Sequence, residues 1–298
     1  MTTAIETAEL VGAEADRVDG PAKVTGAARY PADFGLDNLA HAVLVQSTVA
    51  AGRICRMATA AAEAAPGVLT VITHQSAPRL ARAPNGLGIG PPPPLQDDRV
   101  VHHGQHIAVV VAQTLEQAAA AARLVEADYE AAEPLLDLDD PGAERVDNAS
   151  GRDVSRGDVA AGLAAAEVIV AATYTTPVQT NNPLGLFATT AYWDGDLLTV
   201  HDSTQGPAFV RTALAAAFGL PETAVRVLAP FVGGAFGAGL RTWPHVVLAA
   251  LAAPGGRPPG QAGAVPRADV HLGRLPAADR AAPDGGGQAH RRAGRDRS

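Results

Sequence analysis

The sequence predicts an α+β protein with two folded units, residues 17–133 and 149–253, joined by a linker and followed by a tail without packed elements. Three observations support this prediction. Apolar runs of strand length, such as residues 107–112 (IAVVVA), alternate with helical patterns. A two-residue hairpin signal, Asp194-Gly195, separates two further strand-like runs. The apolar patterning stops after Ala253.

The first unit follows an acidic leader, residues 1–16, and alternates strands with helices. A strand is predicted over residues 105–113, and Thr114 with Gln117 has the form of a capping box that opens a helix. Tyr129 begins the next extended stretch, while residues 85–94 (NGLGIGPPPP) predict an exposed loop. The apolar face expected for the helix comprises Leu115, Ala118, Ala119, Ala122 and Val125.

The second unit follows a Pro- and Asp-rich linker, residues 134–148. Strands are predicted over residues 188–193 and 196–201, with the hairpin turn between them. Ser203 or Thr204 is expected to cap a helix over residues 207–218 that ends at Gly219. A strand over residues 224–231, a glycine-rich loop and an amphipathic helix from about Arg241 to Ala253 complete the unit.

Residues 254–298 have a composition that predicts disorder, because they contain no Ile, Phe, Tyr, Trp, Met or Cys. Reading codons 257–278 one base out of frame permits GRPVKLVLSRAQMFTSVGYRP, which has the apolar residues that the printed tail lacks and continues from the helix into a strand, KLVLS. We therefore expect a frameshift near codon 253. The alternative is a natural Ala/Gly/Pro/Arg linker encoded by GC-rich DNA.

Charge, apolar run length and cysteine content exclude several classes of protein. The tail carries eight Arg and four Asp, a net of +4, so residues 1–253 carry −12 of the chain's total of −8. Such an acidic balance argues against nucleic-acid binding. No apolar run approaches the roughly 20 residues that span a bilayer, and the acidic start does not resemble a signal peptide, so a cytoplasmic protein is expected. The single Cys55 excludes an internal disulfide and is expected to be a partly buried hydrophobic residue.

The best candidate for a ligand site is the glycine loop, Gly233–Gly237. Its glycines, Gly233, Gly234 and Gly237, can offer backbone N–H groups to an oxygen-rich ligand, although strand-to-helix turns also use glycine for shape alone. His102, His103 and His106 have no acidic or cysteine partner nearby in the sequence and are expected to be surface histidines.

Four segments resemble the molybdopterin-binding large subunit of the xanthine dehydrogenase and aldehyde oxidase family. They are residues 17–33 (RVDGPAKVTGAARYPAD), 66–73 (PGVLTVIT), 202–205 (DSTQ) and 231–245 (FVGGAFGAGLRTWPH). The out-of-frame text resembles the continuation of that family. The resemblance implies a hammerhead-type α/β domain over residues 17–133 and an incomplete molybdopterin-binding α+β domain over residues 149–253.

The resemblance also implies a function. In this family water-derived oxygen is placed on an aldehyde or N-heterocycle carbon, and electrons leave through 2Fe-2S centres to FAD, here expected on an iron-sulfur subunit and a flavin subunit. The cofactor would be molybdenum-molybdopterin, in the cytosine dinucleotide form. By motif, Gln205 matches the glutamine that binds the oxo group, and Gly233, Gly234, Ala235, Phe236 and Gly237 match the loop against the metal end of the cofactor.

Two departures from the family pattern limit these expectations. Many relatives have Pro-Met-Glu-Pro-His after the asparagine at position 182, whereas this chain has residues 183–187 (PLGLF). This departure leaves the substrate class open and implies a more apolar substrate pocket if the segment lines that pocket. The general-base glutamate of the family lies in a half that this chain does not encode. The 298-residue product is therefore expected to be inactive by itself, and the alternative is a non-catalytic remnant that only docks onto partner subunits.

Overall fold

The structure is a computed structural model. It describes residues 14, 16–81, 92–137, 139–144, 155–177, 179–185 and 187–253, and the backbone of residues 269–272. Nearly all of the predicted leader, most of the predicted 85–94 loop, part of the linker and most of the tail lie outside the described residues.

The first unit contains six strands and three short α-helices in its described part. The strands are β1 (Leu39–Gln46), β2 (Gly52–Ala58), β3 (Val68–Thr73), β4 (Arg99–Val100), β5 (His106–Ala112) and β6 (Glu126–Ala131). The helices are α1 (Gly20–Val24), α2 (Ala60–Glu63) and α3 (Leu115–Ala122), with a 3-10 turn at Pro31–Asp33.

The described part of the second unit has longer helices around a hairpin. In chain order its elements are α4 (Val159–Ala165), β7 (Thr189–Asp194), β8 (Leu197–Asp202), α5 (Pro207–Phe218), β9 (Val225–Leu228) and α6 (Pro244–Ala252). Two 3-10 turns, Glu222–Ala224 and Ala238–Leu240, precede β9 and α6 respectively.

The two units share one seven-stranded sheet. Its order is β3-β5-β1-β10-β7-β8-β9, where β10 is Asp269–Leu272, and β4-β2-β6 form a separate three-stranded sheet. One core joins the units, because Val109 of β5 belongs to the same buried cluster as Val200 of β8, Phe218 of α5 and Leu248 of α6. Burial of this apolar surface is the main force that holds the units together.

The helix signal at Thr114 is confirmed in detail. The Thr114 side chain accepts from the Gln117 backbone N–H, and the Gln117 side chain accepts from the Thr114 N–H, both at 3.2 Å. The predicted face is wrong for Leu115, which lies at the exposed N-terminus, whereas Ala118 and Ala121 are fully buried. The helix has only eight residues. Which of them are buried depends on where the helix packs against the sheet.

The predicted hairpin forms with its turn shifted by one residue. Asp194 pairs with Leu197, so Gly195 and Asp196 make the turn, with Gly195 at φ 58°. The predicted cap of α5 is also wrong, since Gly206 occupies the N-cap position without a side-chain hydrogen bond. Gly219 ends α5 in the left-handed conformation, as predicted.

The helix α6 is buried on all sides rather than amphipathic. Every residue from His245 to Ala252 is buried, and the helix packs against β7 and the helix α5. The Trp193 indole N–H of β7 donates to the Ala250 carbonyl at 3.1 Å. A helix that is apolar all round belongs in a core, and the apolar composition of α6 carries that signal.

The expectation that residues 254–298 contain no packed element is wrong for β10. This strand pairs in parallel with β1 and antiparallel with β7, and it closes the gap between the two halves of the sheet. Backbone pairing satisfies N–H and C=O groups of both neighbouring strands and does not require an apolar segment. The sheet therefore has a place for one strand after α6.

A further feature of the second unit is an uncovered apolar segment. The helix α4 buries none of its residues. The exposed fraction is 74% for Val159, 79% for Val168, 82% for Val170 and 86% for Tyr174. In the described part of the chain no helix is both long and apolar enough to cross a membrane.

Candidate functional site

Three loops meet beyond the end of strand β8. The first carries Gln205, the second is the glycine loop with the 3-10 turn that follows it, and the third comprises residues 179–185 and 187. The Gln205 backbone N–H donates to the Gly239 carbonyl at 2.8 Å, and the Thr204 hydroxyl donates to the same carbonyl at 3.1 Å. Gln205 and the glycine loop, which the sequence matched to one site, therefore lie side by side.

The Gln205 side chain is exposed and forms no hydrogen bond within the described part of the chain. Without the family resemblance, a glutamine at this position would be expected to bond backbone at the start of a helix, and its side chain makes no such bond in the described part of the chain. Thr204 makes a local side-chain bond instead, because its hydroxyl accepts at 3.0 Å from the N–H of Gly206, the N-cap residue of α5. An amide group is thus left available to a ligand, to which it can donate without adding charge.

The glycine loop exposes backbone on its outer side. Gly233, Gly234 and Gly237 are exposed, whereas Ala235 is buried and anchors the loop. Phe236 has φ 50° and Gly237 has φ 89°, so two consecutive residues are left-handed. A Cβ at Gly237 would have its nearest neighbour at 3.8 Å, which means that Gly237 is required for backbone conformation and not for space.

A buried polar cluster forms the base of the site. Asp202, at the end of β8, accepts from the Thr189 hydroxyl at 2.5 Å. His245, at the start of α6, places Nε2 4.0 Å from Asp202 Oδ1, too far for a hydrogen bond. Burial raises the pKa of Asp202 to about 6 and lowers the pKa of His245 to about 3. His245 is therefore neutral, and the two side chains do not form an ion pair.

The third loop brings an aromatic contact to the site. Phe187 lies 6.3 Å from Trp243, measured between ring centroids, and the Trp243 indole N–H donates to the Ala238 carbonyl at 2.6 Å. Leu184 is almost fully exposed. Leu186 lies outside the described residues, and an apolar substrate pocket stays a prediction.

The remaining predicted candidates do not join the site. His102 and His103 are exposed, as predicted, but His106 is partly buried, and burial lowers its pKa to about 4. Cys55 is exposed on β2, so the expectation of a partly buried cysteine is wrong. Among the described residues no group of His, Cys, Asp and Glu could hold a metal ion.

Sequence reasoning missed Asn181 and the Asp202–His245 pair. The Asn181 side-chain amide donates to the Phe236 carbonyl, and this contact joins residues 55 positions apart. The sequence contains no local signal for such a contact. Asp202 could have been suspected from its place in the DSTQ segment, but its burial follows from packing against α6.

Comparison with known proteins identifies both units. A model of the aldehyde oxidase and xanthine dehydrogenase a/b hammerhead domain matches residues 25–133, and a model of the molybdopterin cofactor-binding domain matches residues 142–258. The aldehyde oxidoreductase molybdenum-binding subunit PaoC of Escherichia coli K12 is 38% identical over 254 residues, covering 84% of this chain and 34% of the relative. The nicotinate dehydrogenase large molybdopterin subunit of Eubacterium barkeri is 31% identical, covering 77% of this chain and 55% of the relative.

Solved structures show the same fold. The aldehyde oxidoreductase of Desulfovibrio gigas matches with a TM-score of 0.68 and 26% identity over 87% of this chain and 30% of its own. Quinoline 2-oxidoreductase of Pseudomonas putida 86 matches with a TM-score of 0.66 and 26% identity over 86% of this chain and 33% of its own. The fold is thus that of the large subunits of molybdenum hydroxylases.

The chain belongs to the xanthine dehydrogenase and aldehyde oxidase family of molybdopterin-binding proteins. It spans about a third of the length of the E. coli subunit. The residues present fit an oxo-bearing cofactor, because the Gln205 amide and the exposed glycine-loop backbone can donate hydrogen bonds to oxygen ligands.

Proposed function

We propose that this chain forms part of the large subunit of a molybdenum hydroxylase that oxidises an aldehyde or an N-heterocycle with water-derived oxygen. The observation that carries the proposal is the contact of the Gln205 backbone N–H with the Gly239 carbonyl, which lies in the 3-10 turn directly after the glycine loop. The molybdopterin cofactor, expected in its cytosine dinucleotide form, would supply the redox chemistry.

In this proposal the residues of this chain hold and orient the cofactor. Gln205 would donate its side-chain amide to an oxo ligand, and the loop from Gly233 to Gly237 would lie against the metal end of the cofactor. Buried Asp202 and Thr189 fix the end of β8 from which the Gln205 loop departs. The Gln205 backbone is held by its bond to Gly239, and a neutral side-chain donor carried on it would stabilise developing negative charge.

The electron-transfer partners are proposed from the family. We expect a 2Fe-2S subunit and an FAD subunit to receive the electrons, and a cytoplasmic location remains a prediction. The relatives are named as subunits, which supports partner chains of some kind. The 298-residue product is predicted to hold no molybdenum by itself, since it spans only about a third of the E. coli relative.

A chimera tests the activity. Residues 1–253 would be joined to the part of the E. coli subunit that follows the matched region, and oxidation of aldehydes and N-heterocycles measured with an artificial electron acceptor. Gln205→Leu is expected to lower the rate about 100-fold, the typical effect of removing one oxyanion donor. The matched control, Gln113→Leu, changes an exposed glutamine outside the site and should have no effect. Equal rates in the two variants would contradict the role of Gln205.

We also infer that the reading frame changes near codon 253. The sheet has a place for one strand between β1 and β7, and in the described part of the tail that strand is the four-residue β10. The other frame offers KLVLS at codons 261–265, closer to the end of α6. Sequencing the DNA over codons 245–280 tests this inference. A base gained or lost would support it, and an unchanged reading frame would contradict it.

A further inference from the structure

Asn181 connects the third loop of the site to the glycine loop. Its side-chain N–H donates to the Phe236 carbonyl, although the two residues are far apart in sequence. The neighbouring Asn182 makes no such connection, because its side-chain amide donates to the Thr180 hydroxyl within the same loop, at 3.1 Å. Both asparagines are exposed, so only one of two similar side chains reaches the candidate site.

The geometry of the peptide bond links this contact to the direction of the Gly237 N–H. The Phe236 carbonyl and the Gly237 N–H belong to one planar trans peptide unit and point in opposite directions. A donor that holds the carbonyl therefore fixes the direction of the N–H. The Gly237 N–H donates to no group in the described part of the chain. It is available to a ligand on the side opposite Asn181.

The backbone on both sides of this peptide needs such a restraint. Phe236 is left-handed at φ 50°, a conformation that a residue with a Cβ seldom adopts unless its surroundings impose it. The far end of the loop is restrained separately, since the Gly239 carbonyl accepts from both Gln205 and Thr204. The Ala238 N–H donates to the Ala235 carbonyl at 2.9 Å and closes a turn around this peptide, and Asn181 adds a restraint on the Phe236 carbonyl itself.

We propose that Asn181 is a positioning residue that aims the Gly237 N–H at an oxygen ligand on the metal end of the cofactor. The inference rests on the proposed function, because that function identifies the ligand. Asn181 acts through the loop and does not itself touch the cofactor. Its effect is to keep the peptide between Phe236 and Gly237 in one orientation.

The first test uses the full chain without any ligand. Asn181→Asp removes the donor, and Asn182→Asp makes the same charge change one position away as the control. We expect Asn181→Asp alone to move the Gly237 amide resonance. It should also speed amide hydrogen exchange at Ala238 and Leu240, whose N–H groups donate within the loop at 2.9 and 3.1 Å, by about tenfold. Identical spectra and exchange rates for the two variants would overturn the inference.

The second test uses molybdate, a tetrahedral oxoanion, as a probe of the loop. The wild-type Gly237 amide resonance is expected to shift on titration, as is that of Asn182→Asp, whereas Asn181→Asp responds weakly. An equal response in all three proteins would overturn the aiming role of Asn181. No response in the wild type, together with a loosened loop in Asn181→Asp, would count against the ligand and hence against the proposed function, while the restraint on the loop would stand.

Discussion

Asp202 is a buried carboxyl group at the base of the candidate site, and its replacement by asparagine is predicted to stabilise the protein above about pH 6. Burial raises the pKa of Asp202 from 3.8 to about 6. The folded protein therefore binds this proton more tightly than the unfolded chain does. The contribution of Asp202 to the free energy of unfolding is largest at low pH and is lost between about pH 4 and pH 6. The full loss corresponds to about 3 kcal/mol.

The structure favours Asp202→Asn as a clean test. The substitution keeps the Oδ1 atom that accepts from the Thr189 hydroxyl, and it exchanges the second carboxylate oxygen for a neutral NH2 group of similar size. His245 would matter if it carried a proton, but burial lowers its pKa to about 3 and its Nε2 atom lies 4.0 Å away. The variant therefore loses an unpaired buried charge and no ion pair.

Urea unfolding of the wild type and of Asp202→Asn measures the effect. The variant's advantage in unfolding free energy is expected to grow by about 2 kcal/mol between about pH 4.5 and about pH 7.5. Comparing the two proteins cancels the titration of other groups. A difference that does not change with pH, or a variant that is less stable at about pH 7.5, would refute the account of Asp202 and would indicate a protonated His245.

Three further substitutions test other parts of the structure. Gly237→Ala should cost about 1 kcal/mol, because its φ of 89° disfavours a side chain, while Gly234→Ala should cost less than about 0.5 kcal/mol in urea unfolding; equal costs would contradict the loop conformation. Val170→Asp should leave the melting temperature almost unchanged, since the side chain is 82% exposed, and a large fall would show that the segment is covered. Phe218→Ala should lower the free energy of unfolding by about 3–5 kcal/mol in urea unfolding, and a loss below about 1 kcal/mol would place Phe218 outside the core.

Local sequence signals predicted the elements that local contacts stabilise. The capping box at Thr114 depends on residues three positions apart, and it forms with both of its hydrogen bonds. Gly219 ends α5 because it adopts φ 66°, a property of the residue itself. The hairpin was placed correctly to within one residue, since strand alternation does not determine which two residues turn.

Contacts between distant residues could not be predicted in the same way. The hydrogen bond from Asn181 to Phe236 depends on how two loops meet, and the sequence near either residue contains no signal for it. The complete burial of α6 results from the core that both units share, so a helix expected to face solvent lies inside. The glycine loop was a candidate from its own residues, Gln205 was found by family resemblance, and the site that they form stays a prediction.

The most direct test of the central claim is the molybdenum content of the chimera that joins residues 1–253 to the remaining part of the E. coli subunit. Purified from a host that makes the cofactor, the folded chimera is predicted to contain stoichiometric molybdenum by elemental analysis, while the 298-residue chain contains none. A chimera that is folded and monodisperse but free of molybdenum would contradict the claim that these residues supply one side of the cofactor site.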